Sequence, residues 1–350
     1  MKLFKAITII LAASLTGITQ GQETAQFFES PTPLEIKAPP YPSTAARMGA
    51  EGWVLLNFMV DSNGKTFEPA VVASAGSDVF HKSALRALNR TKWNPATIDG
   101  RAIEGGASYI YRYVMEDSEK AVTRFFKRQY EDLGELFKSG AKDDAETLLA
   151  SMNERGSLNN YENALLALSN FNYFRIFEDG SDENQIDSLR VALNYESYSE
   201  DIVEGGGYLP EDMRESARRQ LLMLLSNTKK YAEALNVYYL LRESGADVEV
   251  FGAMVEQIHQ LAGDSSEYSV KGETDKNGLW NIQLFKSGLY IDNLGNSISE
   301  FRLRCDKKYQ FFTFQEGVDY QIPASWGSCN LEVLAAAGIE FEVVQFGIEE

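Results

Sequence analysis

Apolar positions along the 350-residue chain recur first with a period of two, then with helical spacing, then with a period of two again. Between residues 53 and 60, Val54, Leu56, Phe58 and Val60 take every second position, and Trp53, Leu55 and Met59 lie between them. That alternation predicts a strand with both faces against protein. Asn63-Gly64 is turn chemistry, because both residues tolerate positive φ. Residues 67–74 read as the return strand, and Pro69 within it marks an edge or a bulge. Phe80, Ala84 and Leu88, with Leu85 alongside, recur at helical spacing behind a candidate cap, Asp78. Arg86, Arg90 and Lys92 sit toward the end of that helix, where its dipole favours cations. Residues 93–96 stop it, Asp99-Gly100 turns the chain, and residues 107–115 form a last strand. A short helix over 43–48, with Ser43 as candidate N-cap, precedes the first strand. It follows Tyr41-Pro42, whose proline holds Tyr41 extended. The predicted order over residues 39–116 is helix, strand, strand, helix, strand.

Residues 117–264 change to the helical period. Phe125, Phe126, Tyr130, Leu133 and Phe137 share one stripe, followed by Ala145, Leu148, Leu149 and Met152, then Ala164, Leu165, Leu168 and Phe171. Runs at 189–193, 221–225 and 234–241 continue the series, and glycines punctuate it as they would paired helices. Residues 231–235 resemble the opening of the second helix in a tetratricopeptide (TPR) pair, although no regular 34-residue period fits. An irregular TPR-like solenoid is the expectation, with a plain helical bundle as its alternative. Residues 265–350 return to short strands, at 280–285, 288–291, 301–304, 309–314, 330–335 and 339–346, with hairpin signals at 275–278 and 292–295. A small β-sandwich or barrel is expected there. The fold class is therefore multi-domain α+β: an α-β-β-α-β domain, a helical-repeat domain and a small all-β domain.

The first of these resembles the C-terminal domain of the TonB family of periplasmic energy transducers. The resemblance rests on Tyr41-Pro42, Ala45, Gly52 and its strand, Asp61, Gly64, Ser74, Phe80, Ala84-Leu85, Ala87-Leu88, Trp93, Pro95-Ala96, Gly100 and the closing strand. Thr66 stands where the family usually has an apolar residue, and His81 where it often has Asp. The resemblance implies recognition of an extended peptide, as the family does with the exposed segment of outer-membrane transporters. Physically that is strand addition to a sheet edge. In the arrangement it implies, residues 107–115 form that edge. Tyr109, Tyr111 and Tyr113 share one face, expected to supply selectivity, and Arg112 lies on the other. The face of Ser108, Ile110, Arg112 and Val114 is expected to pack on the helix of Phe80 and Leu88. Tyr41 and Pro42 complete the candidate partner-binding set. A helical region folded over the edge is the competing expectation.

Composition narrows the function. A net charge of −18 argues against nucleic acid, which needs clustered Lys and Arg. Lys2 and Lys5 precede an uncharged apolar run over 6–18, shorter than a spanning helix needs, and small residues follow to Gly21. Residues 1–21 read as a signal peptide and 22–38 as a short proline-bearing linker. With the resemblance, export implies the periplasm of a Gram-negative bacterium. No Cys near the end of the apolar run offers a lipid anchor. Energy-transducing relatives carry a longer proline-rich spacer and a polar or His-bearing membrane anchor. The expectation here is therefore an adaptor that binds envelope proteins, outer-membrane transporters among them. The alternative is an energy transducer with its N-terminal anchor retained in the inner membrane. Cys305 and Cys329, an even pair in an exported chain, read as a disulfide. His81 and His259 lack neighbours that would make a metal site, residues 61–68 lack calcium-ligand spacing, and no nucleophile motif stands out. No catalysis, metal or cofactor is expected. An enzyme or accessory factor of envelope metabolism, using the helices as a scaffold, is the remaining class.

Overall fold

The computed structural model describes residues 27–115, 121–178, 181–194, 208–262, 264–292 and 298–347. The signal-peptide reading of residues 1–21 lies outside them. The first unit contains β1 (Phe28–Glu29), β2 (Thr32–Glu35), α1 (Ser43–Met48), β3 (Gly52–Val60), β4 (Thr66–Ala75), α2 (Val79–Leu88), β5 (Lys92–Asn94), β6 (Ala96–Ile98), β7 (Arg101–Ile103) and β8 (Gly105–Tyr113). Three of its strands form an antiparallel sheet in the order β4-β3-β8. Val54, Leu56, Phe58 and Val60 all face α2 and bury against Phe80, Ala84 and Leu88, as the period-two pattern predicts. Pro69 falls in an edge strand, and β4 slips register against β3 twice. Asp61 Oδ1 accepts the backbone N–H groups of Asn63 (2.8 Å) and Lys65 (2.9 Å), which makes the 61–65 loop a hairpin turn. Gly64 takes φ 79° within it, a conformation only glycine adopts freely.

The expected linker over 22–38 needs correction. β1 pairs with β6, and β2 pairs with β5, so this stretch adds strands to the first unit. Thr32 and Pro33 stand opposite Asn94 and Trp93. Composition hid the pairing because the partner strands are only three residues each.

The opposite face of the sheet is covered by helices. The run is α3 (Arg124–Ser139), α4 (Lys142–Asn153), α5 (Asn160–Phe177), α6 (Asp182–Asn194), α7 (Glu211–Asn227), α8 (Tyr231–Glu243) and α9 (Gly252–Ala262), of which α3 to α6 share a core with the sheet and α7 to α9 pack behind them around Leu222, Leu225, Ala234 and Leu241. Trp53, Leu55, Ala73, Ala75 and Ile110 join Phe126, Leu133, Leu149, Met152 and Leu165 in one apolar cluster. From α3 to α8 each helix packs on the next, and α3 also reaches α5. The starts at Arg124, Asn160 and Glu211 are unevenly spaced, and among the described residues no TPR repeat is evident. A buried carboxylate ties this layer to the sheet. Glu51, 1% exposed, accepts the N–H of Met115 (2.6 Å) through Oε1 and that of Asn160 (2.8 Å), in the first turn of α5, through Oε2. Asn159 and Glu162 close a reciprocal capping box on the same helix end.

The third unit holds β9 (Tyr268–Glu273), β10 (Leu279–Gln283), β11 (Gly288–Asp292), β12 (Ile298–Cys305), β13 (Tyr309–Thr313), β14 (Tyr320–Gln321), β15 (Cys329–Ala335) and β16 (Glu340–Phe346). They form two antiparallel sheets, β10-β15-β12-β13 and β14-β11-β16-β9. Inward residues of both, Phe301, Leu303, Leu331 and Val333 from one and Leu289, Phe341 and Val343 from the other, share a single core. All six predicted runs are strands; β9 and β14 were not expected. Cys305 and Cys329 stand directly opposite in the ladder and form the disulfide, with Cα atoms 3.9 Å apart. One residue along, Arg304 makes two bonds to Glu332 (2.8 and 3.1 Å), both side chains buried.

Candidate partner-binding edge

β8 pairs with β3 along one side only, so its other side is an edge of the sheet. In an antiparallel strand the N–H and C=O of successive residues point alternately left and right. Gly106 fixes which residues point outward, because its N–H donates to the carbonyl of Asp306 (3.1 Å), away from β3. By alternation the outward groups are those of Gly106, Ser108, Ile110 and Arg112, and those of Tyr109, Tyr111 and Tyr113 face β3. Among the described residues no strand pairs with this outer side. Ser108 is exposed, whereas Ile110 and Arg112 are half-buried beside the helices. The Ser108 hydroxyl donates to Asn57 Oδ1 (2.7 Å), and Arg112 Nη2 reaches the carbonyl of Asn194 (3.4 Å) at the end of α6.

The third unit docks at the start of this edge. Lys308 Nζ meets Glu104 (3.2 Å), the Tyr309 hydroxyl donates to Glu68 (3.2 Å), and the Tyr309 ring packs edge-on against Phe67. The same unit touches the helices, where Asn236 Nδ2 donates to Gln283 Oε1 (2.8 Å). A cleft of about 500 Å³ remains between them, with Asn57, Ser108, Gln283, Ser328 and Asn330 in its walls.

The tyrosines lie on the face opposite to the one expected. Tyr111 and Tyr113 are 2% and 1% exposed, and both pack with α2, so they offer no free surface. The Tyr113 hydroxyl donates to the Phe80 carbonyl (3.0 Å), and Tyr111 shares a hydrogen bond with Thr91 (2.9 Å). Tyr109 is half-buried against Trp93 and Tyr111. Tyr41 sits edge-on to Phe80 and Tyr113 and donates to the Ala50 carbonyl (2.6 Å), and Pro42 takes the N-cap position of α1 in place of the expected Ser43. Burial pushes the phenols of Tyr41, Tyr111 and Tyr113 up to about 12. It is Ile110 and Arg112 that face the helices. A period of two separates two faces but does not say which meets the helix. Tyr111 and Tyr113 fit the α2 side because that side supplies partners for their hydroxyls, Thr91 and the Phe80 carbonyl. The outward backbone groups at Ser108 to Arg112 escaped notice because register, not residue type, selects them.

His81 shares a hydrogen bond with Ser74 Oγ (2.7 Å), and burial lowers its pKa. His259 pairs with the Tyr239 hydroxyl (3.1 Å). Among the described residues there is no cluster of three or more His, Cys, Asp or Glu able to hold a metal. Nor is any helix there long and apolar enough to cross a membrane.

Residues 37–115 match the family described as "Gram-negative bacterial TonB protein C-terminal". The chain is similar to "Protein TonB" of Vibrio cholerae serotype O1, 32% identical over 78 residues, covering 22% of this chain and 32% of that protein. It is also similar to "Protein tonB2" of Pseudomonas aeruginosa, 36% identical over 75 residues, covering 21% of this chain and 28% of that protein. This chain thus spans about a third or less of both relatives. Among solved structures, the Pseudomonas aeruginosa TonB C-terminal domain matches at 24% identity and TM-score 0.23, over 26% of this chain and 92% of that one. The tonB2 protein of Vibrio anguillarum matches at 29% identity and TM-score 0.20, over 32% and 95%. The first unit is TonB-like; the family match stops before the helices and the sandwich.

Proposed function

We propose that this protein is an exported, periplasmic adaptor that captures an extended segment of an envelope protein, such as an outer-membrane transporter, by strand addition to β8. The observation that supports this most directly is the outer edge of β8: both sheet faces are covered, yet no strand among the described residues pairs with that edge. Backbone bonds at Ser108 and Ile110 supply affinity. Side chains of the added strand that project over Asn57 and Ser108 supply selectivity, in place of the buried tyrosines. The sequence match to TonB C-terminal domains supports the envelope setting. The helices, in this reading a TPR-like array, act as a scaffold, and the protein needs no cofactor and performs no catalysis. Replacing Ile110 with proline removes an outward donor and is expected to abolish capture of envelope proteins while the fold persists. Tyr111→Pro instead removes a donor to β3 and is expected to destabilise the sheet. Capture unchanged in Ile110→Pro overturns strand addition here. Recovery of the chain with Met1 still attached, in the membrane fraction, overturns export with cleavage.

A further inference from the structure

The sandwich meets the first unit closely, yet leaves the cleft of about 500 Å³ between them. Two glycines set the approach. A Cβ on Gly106 would lie 2.7 Å from the Cys305 carbonyl oxygen, and one on Gly105 would meet Ala96 Cβ at 2.6 Å. Lys308 and Tyr309 fasten the flank to Glu104 and Glu68. The floor of the cleft is the outer face of β10, β15 and β12. There Gln283 stands opposite Asn330, and Asn330 opposite Arg304, so three planar polar side chains form a row across the ladder. Pro31, Pro33, Trp93 and Tyr109 of the first unit form the facing wall. Two donors in these walls have no partner among the described residues, Arg304 Nη1 and Trp93 Nε1. Arg304 is 3% exposed and Trp93 5%. Nε and Nη2 of Arg304 bond Glu332 (2.8 and 3.1 Å), and Cζ lies 5.1 Å from the centroid of the Tyr309 ring. Nη1 is therefore the edge of the guanidinium turned away from Glu332. A buried donor left without an acceptor is costly, so both donors favour a ligand oxygen in the cleft.

Charge selects the class of ligand. Glu332 already balances Arg304, and Asp306 is the other ionised group of the lining, in a chain of net charge −18. An anion in the cleft would meet a net negative wall. A neutral ligand rich in hydroxyls would not. Its oxygens accept from Arg304, Trp93 and the Asn330 amide, and its hydroxyls donate to the Asp306 carboxylate and the Asn330 carbonyl. We propose that the cleft between β8 and the sandwich binds a short neutral saccharide, a mono- or disaccharide. Its volume lies within the roughly 300–1,000 Å³ of small-ligand sites, and its mix of aromatic, proline and convergent polar side chains is of the kind such sites use. The site stands apart from strand capture, because it works through the side chains of Trp93, Arg304 and Asn330. Both units contribute to it, so a bound saccharide also clamps the sandwich onto the first unit and stabilises the folded chain.

The test uses the full chain. Glucose, sucrose, maltose and lactose serve as neutral probes, glucuronate as an anionic one, and a blocked dialanine amide as a peptide one. Each is titrated to about 50 mM, well past a dissociation constant of about 1 mM. Side-chain N–H resonances are followed by NMR, with the Trp93 indole signal assigned by its loss in Trp93→Phe. The Trp93 indole and Arg304 guanidinium signals are expected to move with at least one neutral saccharide, while the Trp53 and Trp280 indoles stay still. Asn330→Ala is expected to weaken that binding roughly two- to tenfold and to leave the unfolding midpoint without saccharide unchanged. If Asn330→Ala fails to fold, Ser328→Ala on the rim makes the same comparison. No movement at Trp93 with any saccharide, or binding undiminished in the variant, overturns the proposal. A stronger response to glucuronate or to the dialanine amide overturns it too, by giving the cleft to an anion or a peptide. Each of these results leaves strand addition in place, since Ile110→Pro tests that separately.

Discussion

Glu51 gives the sharpest stability prediction. Its carboxylate is buried and receives two backbone N–H groups, from Met115 just after β8 and from Asn160 in the first turn of α5. Its own backbone adds to the joint, since its N–H donates to the Leu158 carbonyl (3.1 Å) and its C=O accepts from Asn163 Nδ2 (3.3 Å). Truncation to alanine leaves those main-chain bonds but strands two N–H donors that lose their carboxylate partner. Each buried donor left unpaired costs about 1–3 kcal/mol, and loss of a negative charge at a helix N-terminus adds about 0.3–1 kcal/mol. The sum is a loss of roughly 2–7 kcal/mol for Glu51→Ala. Glu51→Gln keeps one acceptor oxygen, so it is expected to lose roughly half as much. Urea unfolding followed by tryptophan fluorescence reads both, because Trp53 lies in the cluster shared by the sheet and the helices. Local amide exchange adds a second readout: Met115 and Asn160 are expected to exchange faster in Glu51→Ala, with the sandwich interior unchanged. A loss below about 1 kcal/mol for alanine, or equal losses for alanine and glutamine, refutes the two-donor account.

Other outcomes follow from the same geometry. The phenols of Tyr111 and Tyr113 rise on folding from the ordinary 10 to about 12, so their neutral forms stabilise the fold below pH 10. That contribution is expected to fade as pH climbs from 10 toward 12, seen as a falling unfolding midpoint together with late phenolate absorbance. Tyr113→Phe removes the bond to the Phe80 carbonyl and is expected to cost about 1 kcal/mol without altering partner capture. Replacing Cys305 and Cys329 with serine opens a link between residues 24 apart and is expected to cost roughly 3 kcal/mol, measured by urea unfolding of the sandwich. Glu332→Ala strands the Arg304 charge and is expected to cost about 3–5 kcal/mol, whereas replacing both partners with apolar residues of similar volume is expected to restore most of it.

Local pattern was enough for the elements of the first unit and for most strands of the last. Val54 to Val60 alternate in sequence as they alternate in space, and the cluster of Phe80, Ala84 and Leu88 is one helix face. The cysteine pair was legible because two cysteines have only one pairing. The two-residue strands Phe28–Glu29 and Tyr320–Gln321 were not, since neither is long enough to show a period. Which face of β8 meets α2 also lay beyond the sequence. Tyr111 and Tyr113 are amphipathic and suit a surface or a core, and only the Thr91 hydroxyl and the Phe80 carbonyl across the fold decide for the core.

The sequence by itself determined that a TonB-like α-β-β-α-β unit, a run of helices and a disulfide-bonded β unit follow one another along the chain. The individual helices and strands of each are set by local pattern, where periodicity, turns and caps act. Tertiary structure alone decided that the outer side of β8 has no paired strand among the described residues. The bond from Gly106 to Asp306 spans some two hundred residues, and the bonds of Glu51 to Asn160 and of Arg112 to Asn194 join units with unrelated patterns. Backbone groups carry no residue-type signature, so an edge closed by a main-chain carbonyl leaves no mark in the sequence beyond the two glycines that let it approach.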